Sequence, residues 1–243
     1  MNLLADFGNS QIKLALYDGT HIVVQQTFKN GDAWESTLAQ WKKDHTIGKG
    51  ILSNVGPLSD QEVLDRVQIP GFLPLKSFAN LPFTIAYQTP NTLGDDRLAL
   101  AAAAAKQYPS RNTLIVDLGS CITYDFTTAE GVYSGGAISP GLRMRYRAMH
   151  EFTGRLPLLE PSVPDSIQGT STSTALHAGA YHGIWGEILH QYDTYSKAHA
   201  NVLLILTGGD ASILPKTLKN TIFAEPNFLL EGLCYILQLN ETT

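Results

Sequence analysis

Two stretches of this chain share one chemical grammar. Leu114-Ile115-Val116-Asp117-Leu118-Gly119-Ser120 carries an apolar run into an acid, a glycine and a small hydroxyl, and the β-rich segment Cys121-Ile122-Thr123-Tyr124-Asp125 follows. The chain opens the same way, 111 residues earlier: Leu3-Leu4-Ala5-Asp6-Phe7-Gly8-Asn9-Ser10, then Gln11-Ile12-Lys13-Leu14-Ala15-Leu16-Tyr17. Glycine lets a backbone approach a phosphate closely, and successive N–H groups can then point at its oxygens. An acid at the strand end can hold Mg²⁺, which neutralises phosphate charge. Lys13 is placed to reach outward from the hairpin. A single such turn is equally an ordinary tight turn. Two copies at matching places point to duplicated halves, each offering a phosphate-binding turn with a carboxylate beside it, together expected to hold a nucleotide and its metal.

A third constellation, Gly94-Asp95-Asp96-Arg97, sits where a loop enters a helix. Helix N-termini favour acids as caps, with lowered pKa. One of two adjacent acids can cap, the other can accept a proton from a substrate hydroxyl, and Arg97 can pair with an anion. Capping and catalysis are both open here. Gly135-Gly136-Ala137-Ile138-Ser139-Pro140-Gly141 ends a strand and opens a helix whose start could bind an anion; it also reads as a strand-edge bend. Thr207-Gly208-Gly209-Asp210 ends an apolar strand, where the glycines could admit a base or ribose or simply make a tight turn. Other chemistries are disfavoured. The seven histidines form no HxxH or HExxH pattern, and His182 and His190 read as surface or packing residues. Ser120 and Ser139 lack a nucleophile elbow. There is no G-x-x-x-x-G-K-[ST] and no G-x-G-x-x-G after a strand.

The positioning elements follow from periodicity. Strands are expected at Asn2–Asp6, Gln11–Tyr17 and His21–Phe28, with a tight turn at Asp18-Gly19. Asp32–Lys43 reads as a helix capped by Asp32, with Trp34, Leu38 and Trp41 on one face. A strand at Gly50–Val55, a helix at Asp60–Val67 and a short strand at Leu73–Leu75 follow. Pro82, Pro90 and Asn91 make 76–93 irregular. Arg97–Gln107 is an alanine-rich helix, suited to close packing against another domain or subunit, or favoured by propensity alone. The second half repeats the scheme: strands at Thr113–Asp117, Ile122–Thr127 and Gly131–Ile138, then Pro140-Gly141 followed by a helix through Phe152, a proline-rich loop at 155–168, a helical region at Thr172–Ala198, strands at Asn201–Leu206 and Thr221–Ala224, and a helix at Leu229–Leu237. This order predicts an α/β fold with mixed β-sheets flanked by helices, divided as 1–111 and 112–243.

Composition agrees with a well-packed enzyme-sized chain. Of 243 residues, 44% are apolar and only 16% charged, which argues against disorder. The net charge of −5 and the absence of any run of like charge disfavour a nucleic-acid partner. Two cysteines, Cys121 and Cys234, at no metal-ligand spacing fit a reducing, cytoplasmic compartment. No signal peptide or membrane span is expected.

Taken together and in order, these motifs resemble those of type III pantothenate kinases. Asp6 to Lys13 resembles the family's D-x-G-N-[ST]-x-x-K, Gly94 to Arg97 its G-x-D-R, Asp117 to Asp125 its D-x-G-T-A-x-T-x-D, Gly135 to Gly141 its G-G-x-I-x-P-G, and Thr207-Gly208-Gly209 its T-G-G. Leu156-Pro157 and Leu230-Glu231-Gly232-Leu233 also fit. The resemblance implies two ribonuclease H-like domains of the acetate and sugar kinase, heat-shock ATPase and actin superfold, with the nucleotide between the two Asp-x-Gly loops. It implies a transferase that phosphorylates pantothenate with ATP, the first step of coenzyme A biosynthesis. Asp96 would be the general base. Asp6, Phe7, Gly8, Asn9, Ser10, Gln11, Ile12, Lys13 and Ser120 would bind ATP. Tyr87, Gly94, Asp95, Asp96, Arg97 and Thr172 would bind pantothenate. Asp117 would hold a monovalent cation, K⁺ or NH₄⁺, and Asp6 the Mg²⁺ that accompanies ATP. A homodimer is implied as well. Ser10 stands for the commoner Thr, Ser120-Cys121 for Thr-Ala, and Thr170-Ser171 lacks the usual Lys-Asn. Competing readings are another small-molecule kinase or phosphohydrolase of the superfold, or a nucleotide-binding regulatory accessory factor.

Overall fold

The computed structural model describes residues 1–214, 221–223 and 227–241, and these form two compact units. The first unit holds the chain to Pro109, the short segment Gly131–Tyr133 and the C-terminal helix. Its sheet is built from β1 (Asn2–Phe7), β2 (Gln11–Tyr17), β3 (Ile22–Lys29), β4 (Lys49–Asn54) and β5 (Gly71–Pro74), in the order β3-β2-β1-β4-β5. The first three are joined by tight turns and run antiparallel. β4 and β5 follow helices, and a crossover returns each strand parallel to its neighbour. The result is the mixed sheet that the strand order required. The central strands carry apolar residues on both faces because both faces are covered: Leu3, Leu4, Ala5, Leu14, Leu16, Ile51 and Leu52 are fully buried.

Local signals set the helices, though not always through the expected residue. The helix α1 (Trp34–Asp44) buries Trp34, Leu38 and Trp41 as its spacing required. Asp32 does not cap it. The N-cap is Ala33, and the Asp32 carboxylate instead accepts from the Lys29 N–H at 2.7 Å, closing the turn before the helix. The helix α2 (Asp60–Val67) is started by Ser59, whose hydroxyl and Glu62 form a reciprocal capping box. The strand expected at Leu73–Leu75 lies earlier, at Gly71–Pro74, and Leu75–Ser77 turns as a single 3₁₀ turn because Pro74 cannot extend the ladder. Beyond that turn, residues 78–93 contain only the two-residue strand β6 (Thr84–Ile85) and another 3₁₀ turn at Pro90–Thr92.

The alanine-rich helix α3 (Asp95–Gln107) packs inside the first unit, with Ala99 and Ala101–Ala104 fully buried. Its partner is the C-terminal helix α6 (Phe228–Glu241). A Cβ on Gly232 would stand 1.8 Å from the Ala99 carbonyl oxygen, so the two backbones touch. The terminal helix, grouped with the second half by sequence order, is thus part of the first unit. The reason is physical: small residues on both helices let the two approach until side chains of ordinary size are excluded.

In the second unit, β7 (Thr113–Leu118) pairs antiparallel with β8 (Cys121–Thr127), and β10 (Leu203–Thr207) and β11 (Thr221–Phe223) add in parallel. Ala224, included in the expected last strand, lies outside the described residues. The strand order is β11-β10-β7-β8-β9, with β9 (Val132–Pro140) beginning at Val132 and Tyr133, which pair with β6. The helices α4 (Leu142–Glu151) and α5 (Thr172–Ala198) cover a core of Val116, Leu118, Tyr124, Phe126, Tyr146, Ile184, Ile188, Leu204 and Leu206. Phe126 stacks on Tyr195 with ring centres 4.4 Å apart. Ser171 and Thr174 cap α5 reciprocally. Among the described residues no helix is long and apolar enough to cross a membrane.

Candidate active site

Register puts Asp6 at the centre of the first unit's site. At the end of β1 it lies opposite Lys13 on β2 and beside Ser53 on β4. The Ser53 hydroxyl, fully buried, donates to Asp6 Oδ1 at 2.9 Å. Burial pushes the Asp6 carboxyl up to about 6, opposed by Lys13 and by the Ser53 hydrogen bond, and raised further by Asp96 and Asp95. That the Asp6 charge senses Asp96 places the two carboxylates in one electrostatic neighbourhood. After Asp6 the chain turns sharply, with the Gly8 N–H donating to the Gln11 carbonyl at 2.9 Å. Asn30 Nδ2 donates to the carbonyls of Asn9 (2.6 Å) and Gly8 (3.3 Å), which braces the turn from outside. Phe7 is buried edge-on against Trp34, and Ile12 is buried in the same core. Their backbones, not their side chains, belong to the turn. Asn9, Ser10 and Gln11 are exposed and Lys13 is half-buried.

The Gly94–Arg97 segment resolves into four different roles. Gly94 is the N-cap of α3 and no side chain caps the helix. Asp95 turns away from the helix end: only 3% exposed, it accepts from the Asn54 N–H at 3.3 Å and faces Lys76 Nζ at 3.6 Å. Its carboxyl is raised by burial to about 6, against the pull of Lys76 and Asn54. The lowered pKa expected of a capping acid is therefore reversed, because burial outweighs the local donors. Asp96 is the more accessible of the pair, and its Oδ1 accepts from the Arg97 N–H at 2.8 Å. The bare α-carbon of Gly94 makes this possible, since a Cβ there would stand 2.4 Å from Asp96 Oδ1. Arg97 is buried to 5% exposure, with its guanidinium 6.0 Å above the Tyr87 ring, and Tyr87 lies 6.5 Å from Tyr133. The structure thus brings Tyr87 to Arg97 and Asp96 to Gly94, and it sets Asp6 within reach of the charges of Lys13 and Asp96.

The second unit has its own converging loops. Asp117 ends β7 opposite Thr123 and next to Thr207. Gly208 adopts φ +91, and a Cβ there would lie 2.4 Å from Asp117 Oδ1 and 2.6 Å from the Leu118 backbone. Gly208 of the T-G-G motif is therefore packed against Asp117 so closely that no side chain fits there. The Gly119 N–H donates to the Cys121 carbonyl at 3.1 Å, and the Gly141 N–H to the Ser120 carbonyl at 3.2 Å. A Cβ on Gly141 would stand 2.3 Å from the Gly119 oxygen. Arg145 secures this approach: Nε donates to the Pro140 carbonyl at 2.9 Å, and the guanidinium spans Ser139 (3.0 Å) and Glu187 (2.8 Å). Thr172 stands exposed in the first turn of α5.

Ser53, Asn54 and Lys76 hold the two acids of the first unit, and motif reading passed over them. The one sequence signal was a serine inside the apolar run Ile51-Leu52-Ser53, whose parallel register sets it beside Asp6. Lys76 gave none, since its partner Asp95 lies across an irregular segment.

A family profile described as Type III pantothenate kinase matches residues 2–194. The chain belongs to the type III pantothenate kinase family. A protein named Type III pantothenate kinase from Christiangramia forsetii is 43% identical over 242 residues, covering 100% of both chains. Among solved structures, a conserved putative Baf family transcriptional activator from Campylobacter jejuni superposes with a TM-score of 0.65 at 23% identity, covering 99% of this chain and 100% of that one. A ROK family glucokinase from Streptomyces griseus, solved with glucose and AMPPNP, gives 0.54 at 10% identity, covering 100% and 99%. At these identities the structures speak for the fold alone, and the fold is the one shared by sugar kinases and actin. In this type III pantothenate kinase family member, Asp6–Lys13, Asp117–Asp125 and Thr207–Gly209 lie at strand ends and turns, Gly94–Arg97 opens α3, and Leu230–Leu233 lies within α6.

Proposed function

We propose that this chain transfers the γ-phosphoryl group of ATP to the primary hydroxyl of pantothenate, giving 4′-phosphopantothenate and ADP. The observation that carries this reading is Asp96, an accessible carboxylate next to the bare face of Gly94, whose charge is felt by Asp6 in the phosphate turn. A base at that place can take the hydroxyl proton as the oxygen attacks phosphorus and ADP departs. Phosphoryl transfer asks the protein mainly to position groups and stabilise charge. The turn Asp6–Lys13 offers backbone N–H groups and the Lys13 ammonium to the phosphates, and Ser120 offers a hydroxyl. Arg97, steadied over Tyr87, pairs with the acceptor's carboxylate, and Asp95 keeps the segment in place through Asn54 and Lys76. Thr172 completes the acceptor site in a homodimer.

Two ions fit the residues present. Among the described residues no group of three or more His, Cys, Asp or Glu is placed to hold a metal. Mg²⁺ commonly uses one or two carboxylates together with substrate phosphates. Asp6, with one oxygen engaged by Ser53, suits that share and would hold the magnesium that accompanies ATP. Asp117, whose Oδ1 lies against the bare face of Gly208, would hold K⁺ or NH₄⁺. A substrate panel with ATP tests the proposal. Pantothenate is expected to be phosphorylated and sugars and acetate not. Phosphorylation of a sugar or acetate, with none of pantothenate, would instead establish a different kinase of the superfold. Nucleotide binding with no acceptor turned over would favour a regulatory accessory factor.

A further inference from the structure

Val55 is an apolar side chain that the fold leaves 38% exposed at the centre of the proposed chemistry. It follows β4, and its N–H donates to the Phe7 carbonyl at 2.9 Å, which anchors it to the phosphate turn. Its neighbours are fixed as well. Asn54 holds Asp95, and a Cβ on Gly56 would stand 3.1 Å from the Gly8 carbonyl oxygen. Val55 Cγ1 lies 3.5 Å from the point where a Gly94 Cβ would stand, and Asp96 Oδ1 lies 2.4 Å from that same point. The valine therefore shares one face of Gly94 with the base, while its backbone is tied to the phosphate turn. Single exposed apolar residues are ordinary on a surface. One held between a base and a phosphate turn adjoins whatever carbon bears the reacting hydroxyl. In pantothenate the carbon next to that hydroxymethyl group is quaternary and carries two methyl groups, an apolar surface directly beside the oxygen that reacts.

We infer that Val55 is a specificity-determining residue whose methyl groups cover the dimethyl-bearing carbon of the acceptor, so that the enzyme selects a branched neopentyl-type alcohol over an unbranched one. The inference rests on the pantothenate reading. Val55→Thr keeps the shape and exchanges a methyl for a hydroxyl; Val55→Ala removes both methyls. Each variant and the unsubstituted protein are assayed with pantothenate and with the analogue that lacks the two methyl groups. A methylene in an apolar pocket is worth about tenfold or more in kcat/KM. Both variants are expected to lose about tenfold on pantothenate and to change less than about twofold on the unbranched analogue, with the KM for ATP and the melting temperature unmoved. Equal losses on both acceptors, or no loss on pantothenate, overturn the inference while leaving the pantothenate reading intact. Absence of pantothenate turnover in the unsubstituted protein overturns both.

Discussion

Replacing Asp6 by Asn is expected to make the unliganded protein more stable while removing its kinase activity. Burial raises the Asp6 carboxyl from 3.8 to about 6. Between those two values the folded chain binds more protons than the unfolded one, so stability falls as pH rises through the window and stays low above it. Holding Asp6 ionised at pH 8 then costs ~3 kcal/mol, and about 1 kcal/mol at pH 4.5. Asparagine carries no charge to desolvate, and its Oδ1 can still accept from Ser53. For a chain of this size ~3 kcal/mol corresponds to a rise in melting temperature of about 6–12 °C at pH 8, and roughly a third of that at pH 4.5. The assay is calorimetric melting of both proteins at the two pH values, without nucleotide and with chelator. A lower melting temperature for Asp6→Asn at pH 8, or a gain that does not grow from pH 4.5 to pH 8, would refute the claim that burial dominates this carboxyl. Addition of Mg²⁺ and ATP should narrow the gap, because only the carboxylate gains from the ion.

Three further outcomes follow from the same geometry. Asp96→Asn should lower kcat by about 10²–10⁴-fold with little change in melting temperature, since the group serves as a base and not as a packing element; a wild-type rate removes it from that role. Gly208→Ala places a Cβ 2.4 Å from Asp117 Oδ1 at φ +91, so the K⁺ concentration for half-maximal rate should rise and stability should fall by about 1–3 kcal/mol; titration with KCl and a urea melt read these two effects. Gly232→Ala drives a methyl into the Ala99 carbonyl and should cost about 1–3 kcal/mol or more in urea unfolding; an unchanged midpoint contradicts the contact between α3 and α6.

Periodic segments were readable from the sequence because their pattern and their burial have the same cause. The strand Gln11–Tyr17 and the helices at Asp60–Val67 and Thr172–Ala198 lie where apolar spacing put them. The chemical motifs were readable because glycines, acids and hydroxyls cluster within a few residues. What escaped depends on register and on distance along the chain. Ser53 becomes an Asp6 ligand only when β4 lies parallel to β1 at one register. Which of Asp95 and Asp96 would be held and which left accessible was open until the burial of Asp95 against Asn54 and Lys76 was visible. The terminal helix follows the second half in sequence, but its one narrow face, at Gly232, matches only the alanine stripe of α3. Capping choices between neighbours, such as Ala33 over Asp32, turn on the geometry of the preceding turn and leave no trace in composition.

The central claim is tested most directly by ADP release from ATP in K⁺ buffer, with pantothenate present and absent, and with the product identified by mass. The expected result is ADP formation that depends on pantothenate and yields its monophosphate, with the rate falling when Na⁺ replaces K⁺. ADP release of equal rate without pantothenate, or an unmodified acceptor at the end of the reaction, would contradict it.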